Sequence, residues 1–455
     1  MTDASPTTPT APPTPLTSRQ RVLAIGLILA GTLVAFEVTA IITALPTITE
    51  ELHGDSLYGL SLAAYTLANM AALVVSGELA DRKGPALPFI VSIVVFTSGL
   101  IVAAAAGAMV WVVIGRVLQG AGTGGFAPIA YTLVTRAFPA DRRAHMYAFL
   151  SAAWVLPSLV APAISGLVTD AFGWRWVFLG LVPFAVLVGV LAVRPMLEFG
   201  PTITEPRASR IPAALAAAAG VGLFVTGLQF ANPVAFGVSL AVGAAVAIPS
   251  LRHLMPRGVA VAALGLPAVV AARVLATATF LGVDSFIPLA ADRVHGASPL
   301  VQGFVIIGAA LSWTIGQWVR ARGPYIEPSK AVVQGFVLLF IGTALALPVL
   351  WEDWPLWATF LGWSVGGLGM GLLFNPTTVT SMGYATEGRE GLVSGQITLA
   401  DALGFSLMGG IGGAMVAIAD RTEWSITSAI ATNFAIAGCL AVLGMVASRN
   451  IRAAR

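Results

Sequence analysis

Five ionisable side chains stand inside long apolar runs of this sequence: Glu37, Arg116, Arg273, Asp284 and Asp401. A charge at the centre of a bilayer-crossing helix costs about 2.5–3.5 kcal/mol or more, so each must pair or face a water-filled path. Counting about 1.5 Å per helical residue, Glu37 lies roughly 13 Å and Arg116 roughly 11 Å from the same membrane surface. A Glu37–Arg116 pair is therefore expected. A carboxylate that can exchange its arginine for a proton is a proton switch; a permanent pair that locks two helices is the plainer role for the same residues. Arg273 and Asp401 each lie about 15–18 Å from the opposite surface and form a second expected pair, read as structural. Asp284 is a candidate for a second proton or a cationic substrate, or else a solvated group at a cavity rim.

These groups need helices that hold them in a membrane. Hydrophobic residues make up 57% of the 455 and charged residues only 10%, too little charge to cover a soluble protein. Fourteen apolar runs are long enough for a crossing of about 20 residues. They lie near 21–45, 58–80, 86–107, 110–135, 144–168, 173–194, 211–230, 233–250, 261–290, 298–320, 329–350, 356–378, 391–419 and 425–448. The seventh and eighth are separated only by Ala231-Asn232-Pro233, and a twelve-span reading would bury or re-enter that pair. Basic residues gather in alternate loops, among them Arg82, Lys83, Arg136, Arg142, Arg143, Arg252, Arg257, Arg320 and Arg322, whereas Glu50, Glu51, Asp55, Glu352 and Asp353 occupy the others. By the positive-inside rule both termini are cytoplasmic, in a plasma (inner) membrane. The expected division is a disordered Pro/Thr-rich tail at 1–18, a six-helix half at 19–195, a linker and two-helix insert at 196–258, and a second six-helix half at 259–455.

The two halves echo one another. His53-Gly54, a span, and Gly77-Glu78-Leu79-Ala80-Asp81-Arg82-Lys83-Gly84-Pro85 are matched by His295-Gly296, a span, and Gly316-Gln317-Trp318-Val319-Arg320-Ala321-Arg322-Gly323-Pro324. Repeated halves suggest a carrier whose site lies between them. The second copy has Arg320 where the first has Asp81.

Four motifs in order resemble the major facilitator superfamily, in particular its 14-helix drug:proton antiporters. The loop Gly77 to Gly84 resembles G-x-L-a-D-R-x-G. Phe36-Glu37-Val38-Thr39 through Ala44-Leu45-Pro46 resembles the first-helix L-D-x-T-x-x-x-x-A-L-P, with Glu37 in place of Asp. Arg116-Val117-Leu118-Gln119-Gly120-Ala121-Gly122 resembles the fourth-helix R-x-x-Q-G-x-G, and Gly173-Trp174-Arg175-Trp176-Val177-Phe178 resembles G-W-R-W-x-F at the sixth. The fifth-helix G-P-x-x-G-G stands altered, as Ala161-Pro162-Ala163-Ile164-Ser165-Gly166. The resemblance implies an all-α membrane protein of the major facilitator fold, with two six-helix halves plus a two-helix insert, working as a monomer. It implies proton coupling through Glu37, Arg116 and Asp284. It also implies a gating loop in which Gly77 and Gly84 permit a close approach and a tight turn, and Asp81 meets the amides at a helix start, where the dipole favours negative charge. Arg82 or Arg142 would add a salt bridge there.

Gln119, Phe126, Tyr131, Trp154, Pro162, Met370 and Phe374 are candidates for a substrate cavity, and Pro157 and Pro162 for a bend beside it. The single cysteine, Cys439, excludes an internal disulfide. The four histidines are expected in loops, without metal-ligand spacing, and neither metal nor cofactor is expected. A net charge of +3 suggests no nucleic-acid partner. The partners expected are a small-molecule substrate, protons and the bilayer. No phosphate-binding G-x-x-x-x-G-K-[ST] loop and no nucleophile–base pair occurs, so the expected function is ion-driven, non-enzymatic export of apolar or cationic compounds. A carrier of polar metabolites and a non-transporting receptor are the alternatives.

Overall fold

The computed structural model describes residues 14–53, 57–201, 209–228, 230, 232–297, 299–323, 326–386, 389–419 and 422–453. The expected tail before residue 14, and Gly54, Asp55 and Pro324 of the repeat and loop readings, lie outside them. Among the described residues every regular element is helical, in eighteen α-helices. The first nine are α1 (Ser18–Glu51), α2 (Tyr58–Lys83), α3 (Ala86–Ala104), α4 (Met109–Thr123), α5 (Phe126–Ala137), α6 (Ala140–Ala152), α7 (Val155–Phe172), α8 (Arg175–Leu179) and α9 (Leu181–Met196). Then come α10 (Ile211–Gly227), α11 (Pro233–Leu254), α12 (Leu266–Asp284), α13 (Ile287–His295), α14 (Pro299–Arg322), α15 (Pro328–Ala346), α16 (Leu356–Gly383), α17 (Glu390–Ala419) and α18 (Ile426–Ser448). Ten helical stretches among the described residues are long and apolar enough to cross a membrane.

Four apolar runs are broken in mid-course, and one cause accounts for all four. A proline has no N–H to give the carbonyl four residues back. Pro128 deprives Gly124, where α4 passes to α5; Pro157 deprives Ala153, between α6 and α7; Pro183 deprives Leu179, the last residue of α8; Pro288 deprives Asp284, the last residue of α12. The bend expected in the fifth run is therefore set by Pro157. Proline alone is not sufficient, since Pro376 stays inside α16.

Helix starts are equally local. Thr17 and Gln20 form a capping box at α1, satisfying two orphan donors. The Asn232 side chain accepts from the amides of Val234 and Ala235, with Pro233 at the first turn of α11, a strong start signal. The seventh and eighth runs are thus two separate helices, packed together where Gly220 meets Gly243 and Ala247. The histidine expectation needs correction: His145 lies within α6, His253 in the last turn of α11 and His295 at the end of α13. Helical hydrogen bonding runs past the apolar limits into the polar flanks.

Three apolar cores hold the helices. One joins α1, α3 to α6, α8 and α9 through Leu27, Phe89, Phe96, Ile129 and Phe178. A second joins α12 to α18 through Val269, Phe336, Trp363 and Phe434. The third packs α10 against both α2 and α17, with α11 behind α10 and reaching α17 at Leu254, through Met70, Val74, Ala217, Val221, Leu254 and Leu399.

On the side carrying the acidic loops, α1 is tied down by the sixth-run motif. Trp174 Nε1 donates to Glu51 Oε2 at 2.8 Å and Arg175 Nη1 to Glu51 Oε1 at 2.7 Å, while Arg175 Nη2 reaches the Ala106 carbonyl at 3.1 Å. The Arg175 bond, then the Trp174 bond, holds the Glu51 carboxyl below its ordinary range. A lowered pKa means a contact fully present above the unfolded value, near ~4.3, and lost as pH falls through the folded value. The melting temperature of wild type should therefore fall more steeply than that of Glu51→Gln between pH 5 and pH 3, by about 1–2 °C, since both groups are half-exposed. Parallel acid limbs would remove the contact from the account.

Candidate functional site

Glu37 on α1 and Arg116 on α4 meet in the interior, 0% and 2% exposed, as a direct ion pair between Arg116 Nη1 and Glu37 Oε1. The same Nη1 donates to Gln119 Oε1 at 2.7 Å, and Gln119 Nε2 donates to the Gly99 carbonyl of α3 at 3.2 Å. The i, i+3 spacing of Arg116 and Gln119 puts both on one helical face. The guanidinium lies 4.2 Å from the centre of the Tyr65 ring, close enough for a cation–π contact. Gly120 makes that possible, because any side chain there would strike the Tyr65 backbone. Tyr65 accepts at its hydroxyl from Thr123 Oγ1 at 3.0 Å, and Asn69 Nδ2 donates to the same Thr123 oxygen at 3.1 Å. Two atoms of the pair stay unsatisfied: Glu37 Oε2 and Arg116 Nε are buried without a hydrogen-bond partner. One turn along α1, Ser165 Oγ of α7 donates to the Ala40 carbonyl at 2.6 Å. A glycine at this position of the altered fifth-run motif would have no hydroxyl to give.

The second buried arginine is saturated. Arg273 Nε and Nη2 donate to Asp401 Oδ1 and Oδ2 at 2.6 and 3.0 Å. Its Nη1 donates to Thr377 Oγ1, Thr378 Oγ1 and the Phe374 carbonyl at 2.9, 2.8 and 3.0 Å, and Thr277 Oγ1 donates to Asp401 at 3.0 Å. The planar fork suits a two-point carboxylate contact. The guanidinium also stacks on Phe374, 3.2 Å from the ring centre, so Phe374 contacts this arginine.

Asp284 ends α12, where the helix dipole disfavours a negative charge. Trp363 Nε1 donates to its Oδ1 at 2.7 Å. Among the described residues no cation stands within ion-pair distance of it. The stacked Phe280 and Trp363 rings, 5.1 Å apart, flank that end of α12, and Trp313 lies edge-on to Phe280 at 5.0 Å.

On the side carrying the basic loops, Asp81 bridges the two ends of the chain. Its Oδ1 and Oδ2 accept from the Gly391 and Leu392 amides, the first turn of α17, at 2.7 and 2.9 Å. These are donors that a helix start leaves unmet, and the dipole adds to the attraction. Gly77 and Gly391 lie backbone to backbone, where any side chain on either would collide. Gly84 turns the chain at φ 81°. Arg82 pairs with Glu78 at 2.9 Å, and Glu78 Oε2 also accepts from the Arg210 amide at 2.7 Å. Beside this seam a cavity of about 170 Å³ is lined by α2, α11, α17 and Arg210. Further polar links between these parts of the chain, among the described residues, include Thr132 with Ser394 at 3.1 Å, Asn375 Nδ2 to the Ala144 carbonyl at 2.9 Å, Gln317 with Ser151, and Tyr131 with Arg273.

Of the seven cavity candidates, Met370, Tyr131 and Phe374 gather at the second apolar core, where Tyr131 and Phe374 both meet Arg273, and the other described ones lie elsewhere. Phe126 is core, against Phe89 and Phe96 at 5.4 and 6.2 Å. Gln119 serves Arg116, Met370 is fully buried in the second apolar core, and Trp154 is 47% exposed. Tyr131 packs edge-on to Tyr147 at 5.4 Å; the side chain of Pro162 lies outside the described residues. Helical periodicity says that these positions are apolar, not which neighbour they face. Sequence reasoning missed Tyr65, Trp363, Thr377 and Thr378, whose only signal is a polar or aromatic group inside an apolar run.

Comparison with known proteins agrees on the family. The model of the Major Facilitator Superfamily matches residues 27–409. A probable multidrug-efflux transporter of Mycobacterium tuberculosis is 25% identical over 94% of each chain. Multidrug resistance protein 3 of Bacillus subtilis is 24% identical over 79% of this chain and 72% of its own. The chain spans 63% and 60% of the length of the first two curated relatives it matches, uncharacterized transporters of Schizosaccharomyces pombe and Mycobacterium tuberculosis. Two solved structures share the fold at 15% identity: the human organic anion transporter TETRAN, with a TM-score of 0.71 over 95% of this chain and all of that one, and the proton:xylose symporter XylE, with 0.67 over 94% and 95%.

The two arginines should respond differently to substitution. Arg273→Ala strands Asp401 and three further acceptors, and is expected to cost about 3–5 kcal/mol, read as lost folded yield and a lower melting temperature in detergent. The charge swap Arg273→Asp with Asp401→Arg should not recover it, because an aspartate would then face the Phe374 carbonyl, which cannot donate, and threonine hydroxyls already donating to the Leu373 and Phe374 carbonyls. Full recovery by the swap would mean that those acceptors contribute nothing.

Proposed function

The chain belongs to the Major Facilitator Superfamily, and from that premise we propose that it is a proton-coupled secondary carrier that exports small apolar or cationic compounds by alternating access. One observation carries this reading. Of the two ion pairs built on a buried arginine among the described residues, Arg273–Asp401 has its donors met, whereas Glu37–Arg116 keeps an unpartnered Oε2 and an unpartnered Nε at almost zero exposure, with the Tyr65 hydroxyl the other group within reach of the carboxyl. A proton on Glu37 Oε2 would neutralise the carboxyl and release its charge from Arg116. Arg116 would keep Gln119 and the Tyr65 ring, so the arginine is not left bare. Helix α1 is then freed from α4 at that depth, and proton occupancy becomes a bias between two packings. Asp284, with Trp363 as its hydrogen-bond donor, is assigned the second proton or the charge of a cationic substrate.

The basic-loop side is closed by Asp81 on the start of α17. With that side cytoplasmic, this arrangement is shut toward the cytoplasm, and opening inward must break the Asp81 bonds. We read fourteen crossings, with α4–α5, α6–α7, α8–α9 and α12–α13 each one proline-broken crossing. They form six-helix halves at 19–195 and 259–455 around an insert within 196–258, in a plasma (inner) membrane and acting as a monomer. Relatives named as multidrug transporters support the substrate class.

Everted vesicles given an imposed pH gradient test the reading. A lipophilic fluorescent cation should accumulate in them and leave on adding a protonophore. Glu37→Gln should insert normally and reduce gradient-driven accumulation to background; full transport by this variant would sink the switch. Asp81→Asn should also insert normally, yet turn over several-fold more slowly, because a neutral amide loses the charged half of its hold on α17. Wild-type turnover there would argue against a gate.

A further inference from the structure

The repeat aligns Arg320 with Asp81, yet a cation cannot do what Asp81 does. The matching stretch of α14 meets α16 at Gly316 and α6 at Gln317 and Trp318, rather than α17. Gln317 bonds Ser151 of α6, and the Trp318 ring packs edge-on to Phe149 at 4.7 Å and lies 6.5 Å from His145. Arg320 follows one turn below Gln317 on the α6 side. Its Nε is buried without a hydrogen-bond partner, and so is His145 Nδ1. Arg322 lies over the Trp318 ring at 4.5 Å. Helix α6 contributes Arg142, Arg143 and a single acid, Asp141, whose carboxylate already accepts the Thr14 amide at 2.8 Å. Arg142 Nε donates to the Thr14 carbonyl and Arg143 Nε to the Phe138 carbonyl. Among the described residues, Arg142 and Arg322 both stand near His145, with Asp141 the acid beside it, at the positive end of α6.

A second feature adjoins this cluster. Leu311, Ile315 and Val319, spaced four apart on α14, are 44%, 57% and 53% exposed, and Phe149 beside them is 42% exposed. A surface groove of about 570 Å³ along Thr314, Ile315, Trp318, Val319, Arg322 and Gly323 leads from this strip to the guanidinium of Arg322. An apolar strip that ends in arginines beside a tryptophan has the chemistry of an acyl chain below a phosphate.

We propose that this corner binds an anionic phospholipid of the leaflet on the basic-loop side. Arg322, at the end of the groove, holds its phosphate, Arg320 adds its charge from the α6 side of the helix, and an acyl chain lies along Leu311, Ile315 and Val319. The bound phosphate supplies between α14 and α6 the negative charge that Asp81 supplies between α2 and α17. The strip faces lipid in any case, and a phospholipid alone can meet both the strip and the guanidinium at its end, so the occupant is the lipid. The inference does not depend on what the protein carries.

The test is thermal melting of the purified full chain in detergent, titrated separately with phosphatidylglycerol, phosphatidylcholine and inorganic phosphate. Phosphatidylglycerol should raise the melting temperature, and the other two should not at equal concentration. Arg320→Gln with Arg322→Gln should weaken the phosphatidylglycerol midpoint by about tenfold or more, on the scale of two lost basic contacts at a membrane surface. Arg252→Gln, in the last turn of α11, should leave the midpoint unchanged. Arg322 is exposed, so Arg322→Gln alone serves if the double variant fails to fold, with about a fivefold loss expected. An unchanged midpoint in these variants, or equal stabilisation by phosphatidylcholine or inorganic phosphate, overturns the proposal.

Discussion

An arginine buried among apolar helices must have its charge and its donors met, and the two buried among the described residues are met to different degrees. Arg273 is pinned by a two-point carboxylate contact, two threonine hydroxyls, a carbonyl and an aromatic face. Arg116 has one carboxylate oxygen, one amide oxygen and a ring, with its Nε left over. Removing a partner from a buried pair costs several kcal/mol because the charge left behind has no solvent. The saturated site is thus suited to holding α12, α16 and α17 in one arrangement. The unsaturated one is suited to changing partners, and the proposed proton chemistry is placed there.

The remaining architecture sets where those helices bend and close. Prolines four residues past Gly124, Ala153, Leu179 and Asp284 take an amide from the helical ladder, and the chain breaks at each of those places. One of these breaks leaves Asp284 at a helix terminus beside Trp363. Small residues set the close approaches: Gly120 against Tyr65 builds the Glu37 site, and Gly77 against Gly391 lets Asp81 reach two amides of α17. Helix α10 lies against both α2 and α17, with α11 packed behind it, so any separation of α2 from α17 must also rearrange the packing of α10.

The sequence repeat holds as a pattern and departs in its chemistry. Gly77 and Gly316 both mark close packing, the first on α17 and the second on α16. Asp81 finds a helix start, whereas Arg320 stands in a corner already rich in arginine. A duplicated element keeps its backbone constraints because they follow from helix geometry, while single side chains are free to take up different partners.

Much was legible before any coordinates. Apolar runs interrupted by charge fix where helices run, because an unmet backbone group is too costly in an apolar medium. The depth of Glu37 and Arg116 follows from helical rise alone, and the cap at Asn232 and the breaks before Pro128 and Pro157 are local backbone chemistry. Tertiary structure decided the facing of each side chain. It placed Phe126 and Met370 in cores and Trp154 at the surface, gave Arg82 to Glu78, and put Tyr65, Trp363, Thr377 and Thr378 against the buried charges. Those contacts join residues tens to hundreds of positions apart. Local periodicity records that a position is apolar or polar, but the neighbour it meets depends on how all the helices pack together.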